Sequence, residues 1–212
     1  TQGVSSAASD VYKRQPQEKM VAMTSSLVTV DPLQVCADLE QRDAFGRLLW
    51  GQEAFGEGFA LTTSFGIQAA VSLHLVSRLE RPVSVIWVDT GYLPAETYTY
   101  AEALIDRLGL QVHVAQAPMS PARMEALHGR LWETGRVEDL ELYHRIRKVE
   151  PLDRAMADLG VTCWASGVRG RQTDHRSGMQ PLELVRGRWA LRPLLDWTSR
   201  DVYYYMEEHG LP

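Results

Sequence analysis

Phe59-Ala-Leu-Thr-Thr-Ser-Phe-Gly-Ile-Gln-Ala-Ala-Val-Ser-Leu-His-Leu-Val-Ser-Arg-Leu79 changes its hydrophobic period part-way along. Phe59 to Thr63 is short, apolar and β-branched toward its end, so it reads as a buried strand. Ile67, Ala70, Val71, Leu75 and Leu79 then share one stripe of a helix. Thr62, Thr63, Ser64 and Gly66 lie where strand becomes helix. A sharp strand-to-helix turn of hydroxyls and glycine suits an anion. The helix start presents free N–H groups and a partial positive charge, Gly66 permits close backbone approach, and the hydroxyls add donors. Ser64 acting only as a helix cap accounts for the same residues, and the turn alone leaves both readings open.

A second unit follows. Val83 to Val88 reads as a buried strand and ends in Asp89-Thr90-Gly91. A carboxylate, a hydroxyl and a bare backbone at the carboxyl edge of a parallel sheet fit the usual ligand edge of α/β folds, and two such turns in series favour this over a plain β-turn and cap. Ala95 to Leu108 reads as a helix closed by Gly109, Leu110 to Ala115 as a third strand, and Pro118 to Gly129 as a short helix. Glu138 to Leu159 reads as helical, divided by Pro151, with Arg145, Arg147 and Lys148 just ahead of the proline. That basic cluster fits a solvated face as well as a site.

Val161 to Ser166 is a fourth strand, running into Gly167-Val-Arg169-Gly-Arg-Gln172-Thr-Asp-His-Arg176. Arginines and a glutamine on a glycine-flanked loop at a strand's end suit a phosphate or sulfate clamp, and a solvated basic loop accounts for the same residues. As an exposed loop, it should tolerate Arg169→Ala or Arg176→Ala with little loss of stability. Pro181 to Val185 and Trp189 to Leu191 read as a hairpin. Thr198 with Asp201 forms a capping box for a last helix bearing Val202, Tyr205, Met206 and His209. Upstream, Asp31-Pro32 signals a helix running to about Trp50. Residues 1–26 are polar and aperiodic, and residues 1–30 read as a disordered leader, with Met20 and Met23 as candidate starts. Residues 31–212 read as one α/β domain with a parallel sheet.

Composition narrows the function. The chain has 212 residues and a net charge of −5, so an anion site must come from local arginine and lysine, and a general nucleic-acid surface is disfavoured. No apolar run is long enough for a membrane span, and no signal-like segment opens the chain, which points to the cytoplasm. Cys36 and Cys163 have neither disulfide-framework nor metal-ligand spacing.

Thr62-Thr-Ser-Phe-Gly66, Val88-Asp-Thr-Gly-Tyr-Leu93, Lys148-Val-Glu-Pro-Leu152, Gly167-Val-Arg169 with Gln172 and Arg176, and Pro193-Leu-Leu-Asp-Trp197 occur in this order. Together they resemble the sulfonucleotide reductases, over residues 33–212. The match is closest to the branch acting on 3′-phosphoadenosine 5′-phosphosulfate. The resemblance implies a Rossmann-like, adenine nucleotide alpha-hydrolase-like (PP-loop) fold. It implies reduction of that nucleotide to sulfite and adenosine 3′,5′-bisphosphate in sulfate assimilation. A cysteine thiolate attacks the sulfur, and thioredoxin or glutaredoxin then releases sulfite. It admits a homodimer.

Carried over residue by residue, Ser64, Phe65 and Gly66 would line the phosphosulfate end, with Thr62 and Thr63 also substrate-binding. Asp89, Thr90 and Gly91 would hold the nucleoside, and Lys148, Arg169, Gln172 and Arg176 the anionic groups. Gly170 departs from a second arginine found in many relatives. The family's nucleophile lies in a Glu-Cys-Gly-Leu-His segment, which the resemblance puts beyond Pro212, so no catalytic residue and no metal ligand is assigned here. The adenylyl sulfate branch is similar but carries an iron–sulfur cluster on an adjacent cysteine pair. Tyr143-His144 stands at that place, so no cluster is expected. An ATP pyrophosphatase of similar fold would carry Ser-Gly-Gly-x-Asp-Ser, which Thr63-Ser-Phe-Gly-Ile-Gln68 matches poorly. A nucleotide-binding module without catalysis stays open, because each motif named binds and none performs the redox step.

Overall fold

The structure is a computed structural model that describes residues 32–170 and 178–212. The expected leader, the Asp31 cap, Gln172 and Arg176 lie outside the described residues. Strands β1 (Phe59–Thr63), β2 (Ser84–Asp89), β3 (Val112–Gln116), β4 (Cys163–Ser166), β5 (Leu182–Val185) and β6 (Arg188–Leu191) form one sheet in the order β3-β2-β1-β4-β6-β5. All neighbours are parallel except the β5–β6 pair, which is antiparallel. The chain therefore steps outward from β1 to β2 and β3, then crosses back to place β4 on the other flank of β1. Between β1 and β4 the direction of winding reverses, which opens a crevice at their carboxyl ends.

Alternate strand residues serve two packed faces. Leu61, Val85, Trp87 and Ala165 enter the larger core, together with Leu48, Val71, Leu104 and Val202 from the helices. Ala60, Ile86 and Ala115 enter the smaller one, beneath Leu152 and Met156. The larger core is covered by α1 (Pro32–Glu40), α2 (Ala44–Phe55), α3 (Ala69–Ser77), α4 (Ala95–Leu108) and α8 (Ser199–Glu208), and the smaller by α7 (Glu150–Asp158). Helices α5 (Pro121–His128) and α6 (Val137–His144) enclose a third cluster around Met124, Leu131 and Tyr143. None of the helices among the described residues is long and apolar enough to cross a membrane.

The first helix differs from its expected single run to Trp50. It stops at Glu40, and α2 restarts at Ala44 because the Asp43 carboxylate accepts from Gly46 N–H at 2.7 Å. The helix across Pro151 is also different from the division expected. A π-helical turn over Arg145–Val149 joins α6 to α7, with Glu150 N–H donating to Arg145 C=O five residues back. Proline offers no N–H to the carbonyl four residues earlier and crowds it, and the widened turn accommodates this without a break. Elsewhere local signals hold. Gly109 closes α4 in the left-handed region, and the hairpin turns on Arg186 and Gly187, both at positive φ.

Candidate active site

The site is built on three turns at the carboxyl edge, where β2 and β4 flank β1 in the registers Thr63↔Trp87 and Thr62↔Ser166. The β1 turn is held from within. Thr62 Oγ1 donates to Ala165 C=O at 3.2 Å, and Thr63 Oγ1 accepts from Phe65 N–H at 3.1 Å. Phe65 adopts φ +50°, uncommon for a bulky residue, and its ring is buried edge-on against Trp87 at 4.9 Å. The Phe65 ring therefore belongs to the core, and a Cβ added at Gly66 would meet nothing within 4 Å. Ile67 leaves the expected helical stripe, being 77% exposed, because α3 begins at Ala69. Ser64 is exposed and is not the cap. Gln68 occupies that position without a side-chain capping bond.

At the end of β2, Asp89 is buried and its carboxylate is spent inside the fold. Oδ1 accepts from Gly91 N–H and the Tyr98 hydroxyl, both at 2.8 Å, and Oδ2 from Gln116 Nε2 at 2.6 Å. Burial and this carboxylate push the Tyr98 phenol up to about 12. Asp89 thus shapes the turn, and Thr90, itself buried, accepts from Tyr92 N–H through its hydroxyl at 3.3 Å. Gly91 sits at φ +74°, and a Cβ there would lie 2.7 Å from the Arg147 guanidinium. Arg147 is 2% exposed. Its Nε donates to Thr90 C=O at 2.7 Å, its Nη2 to the same oxygen and its Nη1 to Met119 C=O. The sequence grouped it with Arg145 and Lys148 and did not single it out.

Lys148 follows directly. It is half-buried, its Nζ stands 5.9 Å from the centre of the Tyr143 ring, and burial lowers its pKa. Four residues before it, His144 is 1% exposed, and neither ring nitrogen has a partner among the described residues. Burial, and then the Lys148 charge, push His144 down from 6.5 to about 4. An unfolded imidazole takes its proton near 6.5, so the unfolded chain binds more protons below that pH. Stability is full above pH 6.5 and is lost as pH falls toward 4. The loss should be about 2 kcal/mol between about pH 7 and about pH 5 in urea titrations. His74, lowered by burial and then by His209, Arg78 and Arg107, adds to the same slope. His144→Leu should therefore flatten the slope in part; an unchanged slope would show that His144 titrates normally.

The β4 turn brings in Arg169. Contrary to the exposed loop expected, Arg169 is 5% exposed, with Nη1 on Ser199 Oγ at 3.2 Å and Nη2 on Gln68 Oε1. Its loss should therefore cost stability as well as binding. Gly170 N–H donates to Leu195 C=O at 2.7 Å, clipping this loop to the Pro193–Trp197 segment. Arg47 anchors that segment through Asp196 at 2.5 Å and Pro193 C=O at 2.9 Å. Ser72 Oγ is buried beneath Gly167, where a Cβ would stand 3.1 Å from it, and lacks a partner among the described residues. The structure thus joins the β1 and β4 turns through Arg169 and braces the β2 turn through Arg147. Gln68, Ser199 and Arg47 had no local sequence signal, and Arg147 had only that of its basic cluster.

Neither cysteine belongs to this edge. Cys36 packs with its Sγ 3.3 Å from Leu182 C=O. Cys163 opens β4, at the strand end away from the turn, and burial pushes its thiol far up. Among the described residues no group of three or more His, Cys, Asp or Glu could hold a metal ion.

Residues 58–212 match the phosphoadenosine phosphosulfate reductase domain family. A phosphoadenosine 5′-phosphosulfate reductase from Synechococcus is 50% identical over 193 residues, covering 91% of this chain and 81% of that protein. The crystal structure of a phosphoadenylyl-sulfate reductase from Candida auris, in a phosphate complex, superposes with a TM-score of 0.74 at 26% identity, covering 90% of this chain and 91% of that one. An NMN synthetase from Francisella tularensis shares the fold at a TM-score of 0.53 and 17% identity, over 86% of this chain and 72% of its own. With the sheet order, the three turns and these likenesses together, the chain belongs to the phosphoadenosine phosphosulfate reductase family.

Proposed function

We propose that the carboxyl edge of this sheet binds 3′-phosphoadenosine 5′-phosphosulfate for reduction to sulfite and adenosine 3′,5′-bisphosphate, the reductive step of sulfate assimilation. The observation that carries this reading is Arg169 drawn onto the start of α3 at the crevice between β1 and β4. A guanidinium beside a helix start whose cap residue makes no side-chain capping bond suits a doubly anionic phosphosulfate. Thr62, Thr63, Ser64 and Gly66 take that end, with Phe65 through its backbone. Thr90 and Gly91 face the nucleoside, and Lys148, Arg169, Gln172 and Arg176 meet the anionic groups.

The chemistry needs a thiolate. It attacks the sulfate sulfur, the S–O bond to phosphate breaks, and the bisphosphate leaves with the electron pair. A dithiol of the thioredoxin or glutaredoxin class then attacks the cysteine sulfur of the S-sulfonate. Sulfite departs with the electron pair of the S–S bond, leaving a mixed disulfide; the second thiol of the pair attacks its own partner sulfur, the enzyme cysteine leaves as the thiolate, and the dithiol becomes a disulfide. A cytoplasmic setting, where such dithiols are kept reduced, suits this cycle.

The reading is tested on nucleotides. Adenosine 3′,5′-bisphosphate should bind more tightly than AMP by about 1.5–3 kcal/mol, the worth of one more charge-assisted contact. Equal heats and affinities in calorimetry would point to a site blind to the 3′-phosphate.

A further inference from the structure

We propose that Gln68 is a positioning residue, which holds the Arg169 guanidinium over the start of α3; this rests on the function proposed above. Gln68 stands at the cap position of α3 with helical backbone angles, φ −81° and ψ −3°, and its side chain makes no capping bond. Its Oε1 instead accepts from Arg169 Nη2, across 101 residues of sequence. Arginine only donates, so the bond fixes the orientation of the amide: the oxygen faces Arg169 and the two N–H donors face away from it. Ser199 Oγ, in the first turn of α8, accepts from the other terminal nitrogen at 3.2 Å. Two neutral acceptors on two helices thus bracket one guanidinium.

An arginine has several rotatable bonds, and ordering such a side chain at the moment of binding weakens affinity roughly two- to tenfold. Gln68 removes that cost in advance, and it does so from an exposed position whose side chain contributes little to the core. Its role is therefore separable from stability, unlike that of Arg169 itself. The same pairing explains why this cap residue makes no capping bond: its oxygen is committed to the arginine rather than to the first turn, where Ala69 N–H donates to Gly66 C=O at 2.7 Å.

The test is calorimetry on the 212-residue chain with adenosine 3′,5′-bisphosphate and, as a control without phosphate, adenosine. Gln68→Met should weaken the bisphosphate roughly three- to tenfold, leave adenosine unchanged and leave the melting temperature unchanged. In an Arg169→Lys background, which keeps the charge but cannot bridge both acceptors, Gln68→Met should add less than about a twofold loss. Bisphosphate binding that survives Gln68→Met intact would overturn the inference, as would losses that multiply in the double variant or a fall in melting temperature. Failure of the unaltered chain to bind the bisphosphate would instead remove the functional reading, and this inference with it.

Discussion

Arg147→Met should be the most damaging single substitution in the site, lowering stability by about 4 kcal/mol and abolishing nucleotide binding. The side chain is buried and donates to the carbonyls of Thr90 and Met119, with its guanidinium 5.5 Å from the centre of the Tyr92 ring. Methionine fills much of the volume but donates nothing. Each buried carbonyl left unsatisfied costs about 1–3 kcal/mol, and hydrogen bonds from a charged donor are the stronger kind. Against a total stability of about 5–15 kcal/mol this is a large share. Binding suffers because Thr90 and Gly91 are the residues being braced, and the guanidinium fits against Gly91 with no room for a Cβ. Arg147→Lys keeps the charge yet reaches fewer acceptors, so it should recover part of the stability and little of the binding. Urea denaturation reads the first effect as a fall in midpoint of about 2 M; calorimetry reads the second. A midpoint within about 0.3 M of the unaltered chain would mean that water replaces the guanidinium at little cost.

What the sequence disclosed, and what it hid, divides by distance along the chain. β1 and its turn, the Gly109 stop, the Arg186-Gly187 hairpin and the Thr198–Asp201 capping box are all local, and each was readable from a few neighbouring residues. The capping box forms as expected, with Thr198 N–H donating to Asp201 at 2.7 Å. The bonds that make the turns into a site span far more: 101 residues for Arg169 and Gln68, 57 for Arg147 and Thr90, and 149 for Arg47 and Asp196. No period or spacing encodes those partners. Phe65 is instructive here. Its left-handed backbone has no signal in the neighbouring residues, and its ring is buried against Trp87 on the adjacent strand. Lys148 and Arg147 show the same limit. Adjacent residues of a helical turn point in different directions, so Arg147 is buried while Lys148 is half-buried and Arg145 exposed. The π-helical turn that sets this phase follows from Pro151 only once the helix is known to continue through it.

The largest effect expected of all is on turnover: these 212 residues should bind the phosphosulfate nucleotide and release no detectable sulfite from it. Reduction requires a thiolate within reach of the sulfur, and a thiol buried away from charge and solvent is both protonated and inaccessible. Cys163 is fully buried, and burial pushes its thiol far up. It also opens β4 three residues before Ser166, about 10 Å along the strand from the turn at 3.3 Å per residue. Cys36 is buried on α1 and packs against the β5 backbone, on the flank of the sheet beyond β4 and β6. Neither is placed to attack a ligand held between β1 and β4 without unfolding an element of the core. The assay is sulfite release from 3′-phosphoadenosine 5′-phosphosulfate with thioredoxin and its reductase. Appending a C-terminal segment that carries the family's Glu-Cys-Gly-Leu-His motif should raise the rate from background to ordinary enzymatic turnover, on the order of 1 per second or more. Cysteine-to-serine replacement within that appended motif should return it to background, while Cys36→Ser and Cys163→Ser should not. Turnover by the 212 residues alone, abolished by Cys163→Ser, would mean that β4 opens far more readily than its packing implies.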